Sequence, residues 1–104
     1  MGLFDFLKTK DINTIIAEKE DSTILLDVRE QDEFKAGHIP RAVNFPLSKL
    51  DKTDLPWEKT ASIYVYCLAG TRSSRAVRYL QSQGYINITN IGGINRWRGK
   101  VEKG

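Results

Sequence analysis

Apolar residues occur along the chain as short runs separated by polar stretches. The runs TILLDV (23–28) and SIYVYC (62–67) are continuous and rich in β-branched and aromatic residues, which is typical of strands covered on both faces. AVNFP (42–46) predicts a brief strand ended by its proline, and the alternation in INITNI (86–91) predicts a last strand. The chain therefore offers several short strands spread over its length.

Between these runs, apolar residues recur at helical spacing. In residues 11–20 three isoleucines fall on one helical face, and Thr9 is the predicted N-cap. EQDEFKAG predicts a short helix with acidic residues in its first turn and a closing glycine. A longer helix is predicted from Thr71 or Arg72 to Gly84.

Strands that alternate with helices across short loops predict an α/β domain. We expect a mostly parallel central sheet of about five strands, flanked by helices on both faces. The sequence contains no internal repeat, low-complexity tract or Ser/Pro linker. Residues 1–104 are therefore expected to form a single domain, with a short lead-in at 1–8 and a tail at 99–104.

Composition excludes several classes of protein. Hydrophobic residues make up 40% and charged residues 28%, as in ordinary globular proteins, and no segment approaches the roughly 20 apolar residues that span a bilayer. The one cysteine cannot form an internal disulfide, which favours a cytoplasmic location. One cysteine and one histidine are too few ligands for a zinc site. We expect no metal, no cofactor and no membrane association.

Charge is distributed unevenly. Residues 1–66 carry 9 Lys and Arg against 12 Asp and Glu, whereas residues 67–104 carry 7 against 1. No run of five or more basic residues is present, so we do not expect a nucleic-acid partner. The basic half, which begins at Cys67, indicates a local surface that handles anions.

The segment VYCLAGTRSS (65–74) places the only cysteine at the carboxyl end of a predicted strand, where ligands bind in parallel α/β sheets. The small or flexible residues that follow let backbone N–H groups converge, and the next helix adds its positive N-terminal end. These features favour a thiolate over a buried, inert thiol. We predict Cys67 as a nucleophile that needs no histidine base, with a substrate-binding segment formed by Leu68, Ala69, Gly70, Thr71, Arg72 and Ser73.

Three segments in order carry a family resemblance. LLDVREQDEFKAGHIPRAVNFP, YVYCLAGTRSSRA and GGINRW resemble the signatures of the rhodanese family in its short, single-domain form, and the resemblance extends from about Asp11 to Arg98. It implies a sulfurtransferase in which Cys67 takes the outer sulfur of a donor and holds it as a persulfide. The implied partners are a small anionic sulfur donor or a persulfidated protein, and a thiol or cyanide acceptor. We expect a monomer.

The resemblance also assigns roles outside the loop. Asp27 and Arg29, at the neighbouring strand end, are expected to brace the loop, while His38 is expected to be a buried structural residue and Trp97 to pack. The sequence departs from the family pattern at Arg41, where glycine is more frequent, and at Arg96, where a small residue is usual after the paired glycines. The loop interior is uncharged, which favours a persulfide over thiosulfate as donor.

Other interpretations stay open. Phosphatases and arsenate reductases of the same fold also use a loop cysteine and an arginine, but cysteine phosphatases separate the two by one residue more than the four between Cys67 and Arg72. Arsenate reduction also needs a second thiol, which this chain lacks. A persulfide carrier dedicated to one partner, or a non-catalytic binding module, remains the main alternative.

Overall fold

The computed structural model describes residues 10–104 and contains one parallel sheet. Its strands are β1 (Ile24–Asp27), β2 (Val43–Asn44), β3 (Ile63–Cys67) and β4 (Ile88–Gly93), in the spatial order β2-β1-β3-β4. Every pairing is parallel, which confirms the predicted α/β class. Within the described part of the chain the sheet has four strands rather than about five.

In residues 10–104 three α-helices accompany the sheet: α1 (Ile12–Ala17), α2 (Gln31–Ala36) and α3 (Thr71–Ser82). Short 3-10 helices cover Leu47–Lys52 and Ile94–Arg96. The helix predicted from the spacing of the isoleucines in residues 12–16 is confirmed as α1.

The start of α1 corrects one sequence prediction. Asp11 is the N-cap, since its carboxylate accepts a hydrogen bond of 3.0 Å from the backbone N–H of Thr14. The predicted cap, Thr9, lies outside the described residues, as does the predicted lead-in of residues 1–8.

The sheet separates two apolar clusters. Side chains alternate along β1 and β3, so that Leu26 and Val65 face α3 while Leu25 and Tyr66 face α1. The first cluster includes Ala76 and Leu80 of α3, and the second includes Ile12, Ile15, Ile39 and Ile91. Helices therefore cover both faces, as predicted. No helix among residues 10–104 combines the length and apolar character needed to cross a membrane.

The C-terminal tail is docked against α2. The backbones of His38 and Glu102 exchange two hydrogen bonds of 2.9 Å, and the N–H of Gly104 donates to the carbonyl of Lys35 at 2.9 Å. This single antiparallel bridge is too short to count as a further strand. The segment predicted as a tail thus belongs to the folded unit.

The carboxyl edge of the sheet gathers the polar residues. β1 and β3 are neighbours, with Asp27 beside Tyr66 in register, and both α2 and α3 begin at this edge. The first turns of the two helices therefore flank the loop that follows β3.

Candidate active site

Cys67 lies at the end of β3 beneath its loop and is only 1% exposed. Its Sγ accepts a hydrogen bond of 3.0 Å from the backbone N–H of Gly70 and lies 3.4 Å from Oγ of Ser73. Gly70 has φ of +101°, the left-handed region that glycine adopts readily. This turn brings the chain back over the sulfur and starts α3.

These contacts stabilise a thiolate. Burial opposes the charged form of Cys67, but hydrogen bonds from the Ser73 side chain and from the backbone of Ser73, Gly70 and Ala69 outweigh it, so the pKa of Cys67 lies below its ordinary value. A thiolate is the nucleophilic form of cysteine. The loop thus favours the thiolate form of Cys67 through hydrogen bonds from residues 69–73.

Ser73 is fully buried and linked to Asn90 on β4. Its Oγ lies 2.7 Å from Oδ1 of Asn90 and 3.0 Å from the carbonyl of Gly70. Asn90 donates from Nδ2 to that same carbonyl at 3.0 Å, and its Oδ1 accepts from the N–H of Gly92 at 2.9 Å. Asn90 therefore ties the loop to β4. Asn90 was not among the predicted site residues; its signal in the sequence is a polar residue in a predicted strand just before paired glycines.

Gly93 lies directly against the loop backbone. A Cβ at this position would lie 2.1 Å from the carbonyl oxygen of Leu68 and 2.6 Å from Cα of Ala69. Only glycine allows this approach without displacing the loop. The GGINRW motif thus supports the site through packing, and the N–H of Asn95 adds a hydrogen bond of 3.1 Å to Leu68.

The outer part of the predicted substrate-binding segment faces solvent. Leu68 is 48% exposed, and Ala69 and Thr71 are also exposed, whereas Gly70 and Arg72 are partly covered. The structure therefore brings residues 67–73 together in one loop, with a buried sulfur below and an open rim above.

Arg72 makes a bidentate ion pair with Glu33 in the first turn of α2. The two guanidinium nitrogens lie 2.7 and 3.0 Å from the two carboxylate oxygens. Hydrogen bonding from Arg72 lowers the pKa of Glu33 to about 2, and the same contact raises the pKa of Arg72. Glu33 was not among the predicted site residues; its signal in the sequence is an acidic residue in the first turn of a predicted helix.

Asp27 and Arg29 form a second ion pair at the end of β1. Asp27 is fully buried, and its carboxylate accepts from Nε and from Nη2 of Arg29, the latter at 2.7 Å. Arg29 also donates to the carbonyl of Gly37 at 2.7 Å and lies over the Tyr66 ring. None of these side-chain contacts reaches residues 67–73. Asp27 and Arg29 thus hold the segment before His38 and the ring of Tyr66, which precedes Cys67; that they brace the loop stays a prediction.

His38 and Trp97 are structural in this arrangement. His38 is 8% exposed and stacks on Phe34 with ring centroids 3.7 Å apart, as expected for a buried residue. Trp97 packs against the α1-side cluster and donates from Nε1 to the carbonyl of Lys100 at 2.9 Å. Among residues 10–104, no three His, Cys, Asp or Glu side chains are grouped in a way that could hold a metal ion.

The two departures from the family pattern lie away from the sulfur. Arg41 has φ of +72°, in the left-handed region that glycine adopts without strain, which explains why glycine suits this position better. Arg96 is exposed at the end of the second 3-10 helix. Neither side chain contacts the loop.

A parallel α/β domain with a thiolate-stabilising loop at a strand's carboxyl end defines a class of cysteine-dependent domains. Within that class, the family model for the rhodanese-like domain matches residues 10–100. The chain therefore belongs to the rhodanese-like domain family.

Similar proteins include both transferases and a carrier. The chain is 35% identical over 86 residues to YrkF of Bacillus subtilis, named as a candidate sulfur carrier, covering 82% of this chain and 46% of YrkF. It is 33% identical over 94 residues to a sulfurtransferase of Allochromatium vinosum, covering 88% and 85%. The structure of a rhodanese with anions from E. coli superposes with a TM-score of 0.68 and 30% identity, covering 79% and 99%. The chain spans 21% to 63% of the first four curated relatives.

Proposed function

We propose that the chain is a sulfurtransferase that carries sulfur as a persulfide on Cys67. The observation that carries this proposal is the Cys67 sulfur itself, which accepts the Gly70 N–H at 3.0 Å and whose pKa is lowered by the surrounding loop. A thiolate held by backbone donors needs no general base. The same donors suit the anionic persulfide that would follow.

In the first step, the Cys67 thiolate attacks the outer, sulfane sulfur of the donor. A bond forms between Sγ and that sulfur, while the donor's own bond to it breaks. The leaving group keeps the electron pair: sulfite from thiosulfate, or a thiolate from a persulfide. Negative charge on the enzyme moves from Sγ to the terminal sulfur, which remains within the loop.

In the second step, an acceptor attacks the terminal sulfur and Cys67 leaves as a thiolate. A thiol acceptor, reacting as its thiolate, becomes a persulfide, and cyanide becomes thiocyanate. No net oxidation or reduction of the enzyme occurs over the cycle, and no cofactor is needed. Such a two-step cycle predicts ping-pong kinetics.

The comparisons support sulfur chemistry over the alternatives. A similar protein is named a sulfurtransferase, and the similar E. coli rhodanese was solved with anions. Cys67 and Arg72 are separated by four residues, one fewer than in cysteine phosphatases, which favours sulfur over phosphate as the transferred group. We further propose a cytoplasmic monomer whose donor is a small anion or a persulfidated protein.

A dedicated persulfide carrier is the second candidate. YrkF is named as a candidate sulfur carrier, and Leu68 presents an apolar side chain that is 48% exposed beside the buried thiol. Such a residue suits contact with a protein partner. A carrier would accept sulfur at Cys67 but show slow turnover with small acceptors.

Intact mass spectrometry after incubation with thiosulfate or a small-molecule persulfide tests the proposal. We expect one added sulfur atom, which thiols or cyanide remove. The Cys67→Ser variant, which keeps a similar side-chain size, should gain no sulfur. Absence of an adduct with every donor, persistence of the adduct in Cys67→Ser, or Cys67-dependent turnover of an aryl phosphate would contradict the proposal.

A further inference from the structure

The only arginine in the active-site loop is already bound to a carboxylate. Both oxygens of Glu33 lie within hydrogen-bonding distance of Arg72, at 2.7 and 3.0 Å, and both side chains are about one-third exposed, at 31% and 32%. A bidentate pair of this kind fixes the guanidinium in one orientation. Its positive charge is therefore largely cancelled at the rim of the loop.

A second carboxylate adds to this effect. Glu30, the N-cap of α2, interacts electrostatically with Arg72, and it is held in place by the hydroxyl of Ser48 at 2.9 Å from each carboxylate oxygen. The loop interior from Leu68 to Thr71 contributes no charged side chain. The rim of the loop thus combines one guanidinium with two carboxylates.

We propose that Glu33 determines donor specificity by holding Arg72 in an ion pair and so disfavouring small, multiply charged donors. The inference rests on the sulfurtransferase function proposed above and narrows its substrate class. The preferred donor would carry its sulfur on a thiol, as a low-molecular-weight or protein persulfide. Thiosulfate, a dianion, would gain little from a guanidinium that already has a carboxylate partner.

The two acids of α2 offer a matched pair of variants. Glu33→Gln removes the charge yet keeps an oxygen that can accept the N–H of Glu30, so the capping box at the start of α2 is preserved. Asp32→Asn removes the same charge from the adjacent, exposed position, which makes no contact with Arg72. The difference between the variants isolates the ion pair from the overall change in charge.

The alkylation rates of Cys67 with a neutral and an anionic reagent report the electrostatic potential at the rim of the loop, and the measurement does not require sulfur transfer. Iodoacetamide is neutral and iodoacetate is an anion of similar size, and both react by displacement of iodide by the thiolate. We expect Glu33→Gln to raise the ratio of the iodoacetate rate to the iodoacetamide rate by about fivefold, the size of a modest ion-pair effect. Asp32→Asn should change this ratio less than about twofold because its charge is more distant and screened.

A second variant, Glu30→Gln, keeps the proposal testable if Glu33→Gln fails to fold. Glu30→Gln should raise the ratio in the same direction as Glu33→Gln but by less, since Glu30 makes no hydrogen bond to Arg72. Each variant should keep the melting temperature of the parent within a few degrees. Equal ratios in the parent, Glu33→Gln and Glu30→Gln, or an equal rise in Asp32→Asn, would overturn the proposal.

Donor binding provides the direct measurement. In the Cys67→Ser background, calorimetric titration with thiosulfate should show tighter binding when Glu33→Gln is added, again by about fivefold. Unchanged affinity, or no detectable binding in either protein, would overturn the proposal. Because neither the alkylation nor this titration depends on turnover, failure of the specificity proposal is distinguishable from failure of sulfur transfer, which the mass adduct reports.

Discussion

Two polar clusters lie at the carboxyl edge of the same sheet, one on each face. In the first, backbone N–H groups and Ser73 converge on the sulfur of Cys67. In the second, Arg29 donates hydrogen bonds to the buried carboxylate of Asp27 and to the carbonyl of Gly37. The first gathers donors around a reactive atom, whereas the second pairs every charge with a partner.

The difference between the two clusters indicates different roles: reactivity for the loop around Cys67 and stability for the Asp27 cluster. A buried ion pair with complete hydrogen bonding contributes to the fold, and losing one partner is costly because the other charge remains buried. A sulfur surrounded by donors gains reactivity when it is charged. We therefore expect changes in the Asp27 cluster to alter stability and changes in the loop to alter the pKa and reactivity of Cys67.

The largest effect should come from Asp27→Asn. Arg29 would lose its charge partner while remaining buried, which destabilises the fold by about 3–5 kcal/mol in comparable cases. Urea denaturation measures this loss, and Asp32→Asn, at an exposed position, should change stability by less than about 0.5 kcal/mol. If Asp27→Asn left the stability unchanged but shifted the pKa of Cys67, the assignment of stability to the Asp27 cluster and of reactivity to the loop would be wrong.

Gly93→Ala should affect both stability and reactivity. The added methyl would lie 2.1 Å from the Leu68 carbonyl, so the loop must move away from β4. We expect a destabilisation of about 1–3 kcal/mol, typical of overpacking, together with slower alkylation of Cys67. Gly37→Ala is the matched control, because its Cβ would make only ordinary contacts of 3.7 Å with Val101. Equal behaviour of the two variants would contradict the packing role of Gly93.

Ser73→Ala should raise the pKa of Cys67. The thiolate loses a neighbouring hydroxyl that stabilises its charged form. Since the thiolate is the reactive form, the rise of the alkylation rate with pH should move to higher pH. Ser74→Ala, at a partly buried helix position with no contact to the sulfur, is the control. An unchanged pH profile in Ser73→Ala would show that the backbone donors alone set the pKa.

Glu33→Gln should have the smallest effect on stability, and a defined pH dependence. Hydrogen bonding from Arg72 lowers the pKa of Glu33 from 4.5 to about 2, so the stabilisation is present above pH 4.5 and is lost as the pH falls towards 2. The stability difference between parent and variant should be below about 1 kcal/mol at neutral pH, because the pair is partly exposed, and should vanish over that window. A difference that grew on acidification would contradict this assignment.

Much of the fold could be predicted because its signals are local. The apolar runs located the four strands of the described residues, and the change to helical spacing at Thr71 or Arg72 located the start of α3. The cap of α1 was misplaced because two polar residues, Thr9 and Asp11, compete for that position and only the backbone geometry decides between them. The pairing of Glu102 with His38 could not be predicted from the local sequence. It is formed by backbone groups, which every residue except proline offers alike.

The site was predictable where one segment forms it and not where distant segments meet. The loop from Cys67 to Ser73 is continuous in sequence, so its chemistry could be inferred from its composition. Glu33 and Arg72 are 39 positions apart, and their pairing depends on how α2 and α3 sit on the sheet. Asn90 and Gly93 likewise reach the loop only through the pairing of β3 with β4.

The burial of Cys67 has a consequence for the regiochemistry of sulfur delivery. A persulfide offers two electrophilic sulfurs, and attack of a thiol acceptor on the inner one would break the S–S bond, release hydrosulfide and join the acceptor to the protein as a mixed disulfide. With the cysteine 1% exposed, the inner sulfur is shielded, while the terminal sulfur stands about 2 Å further along the bond towards the rim. In the proposed cycle, the burial of the thiol thus directs the acceptor to the terminal sulfur. It also prevents the protein from accumulating as a mixed disulfide with the acceptor.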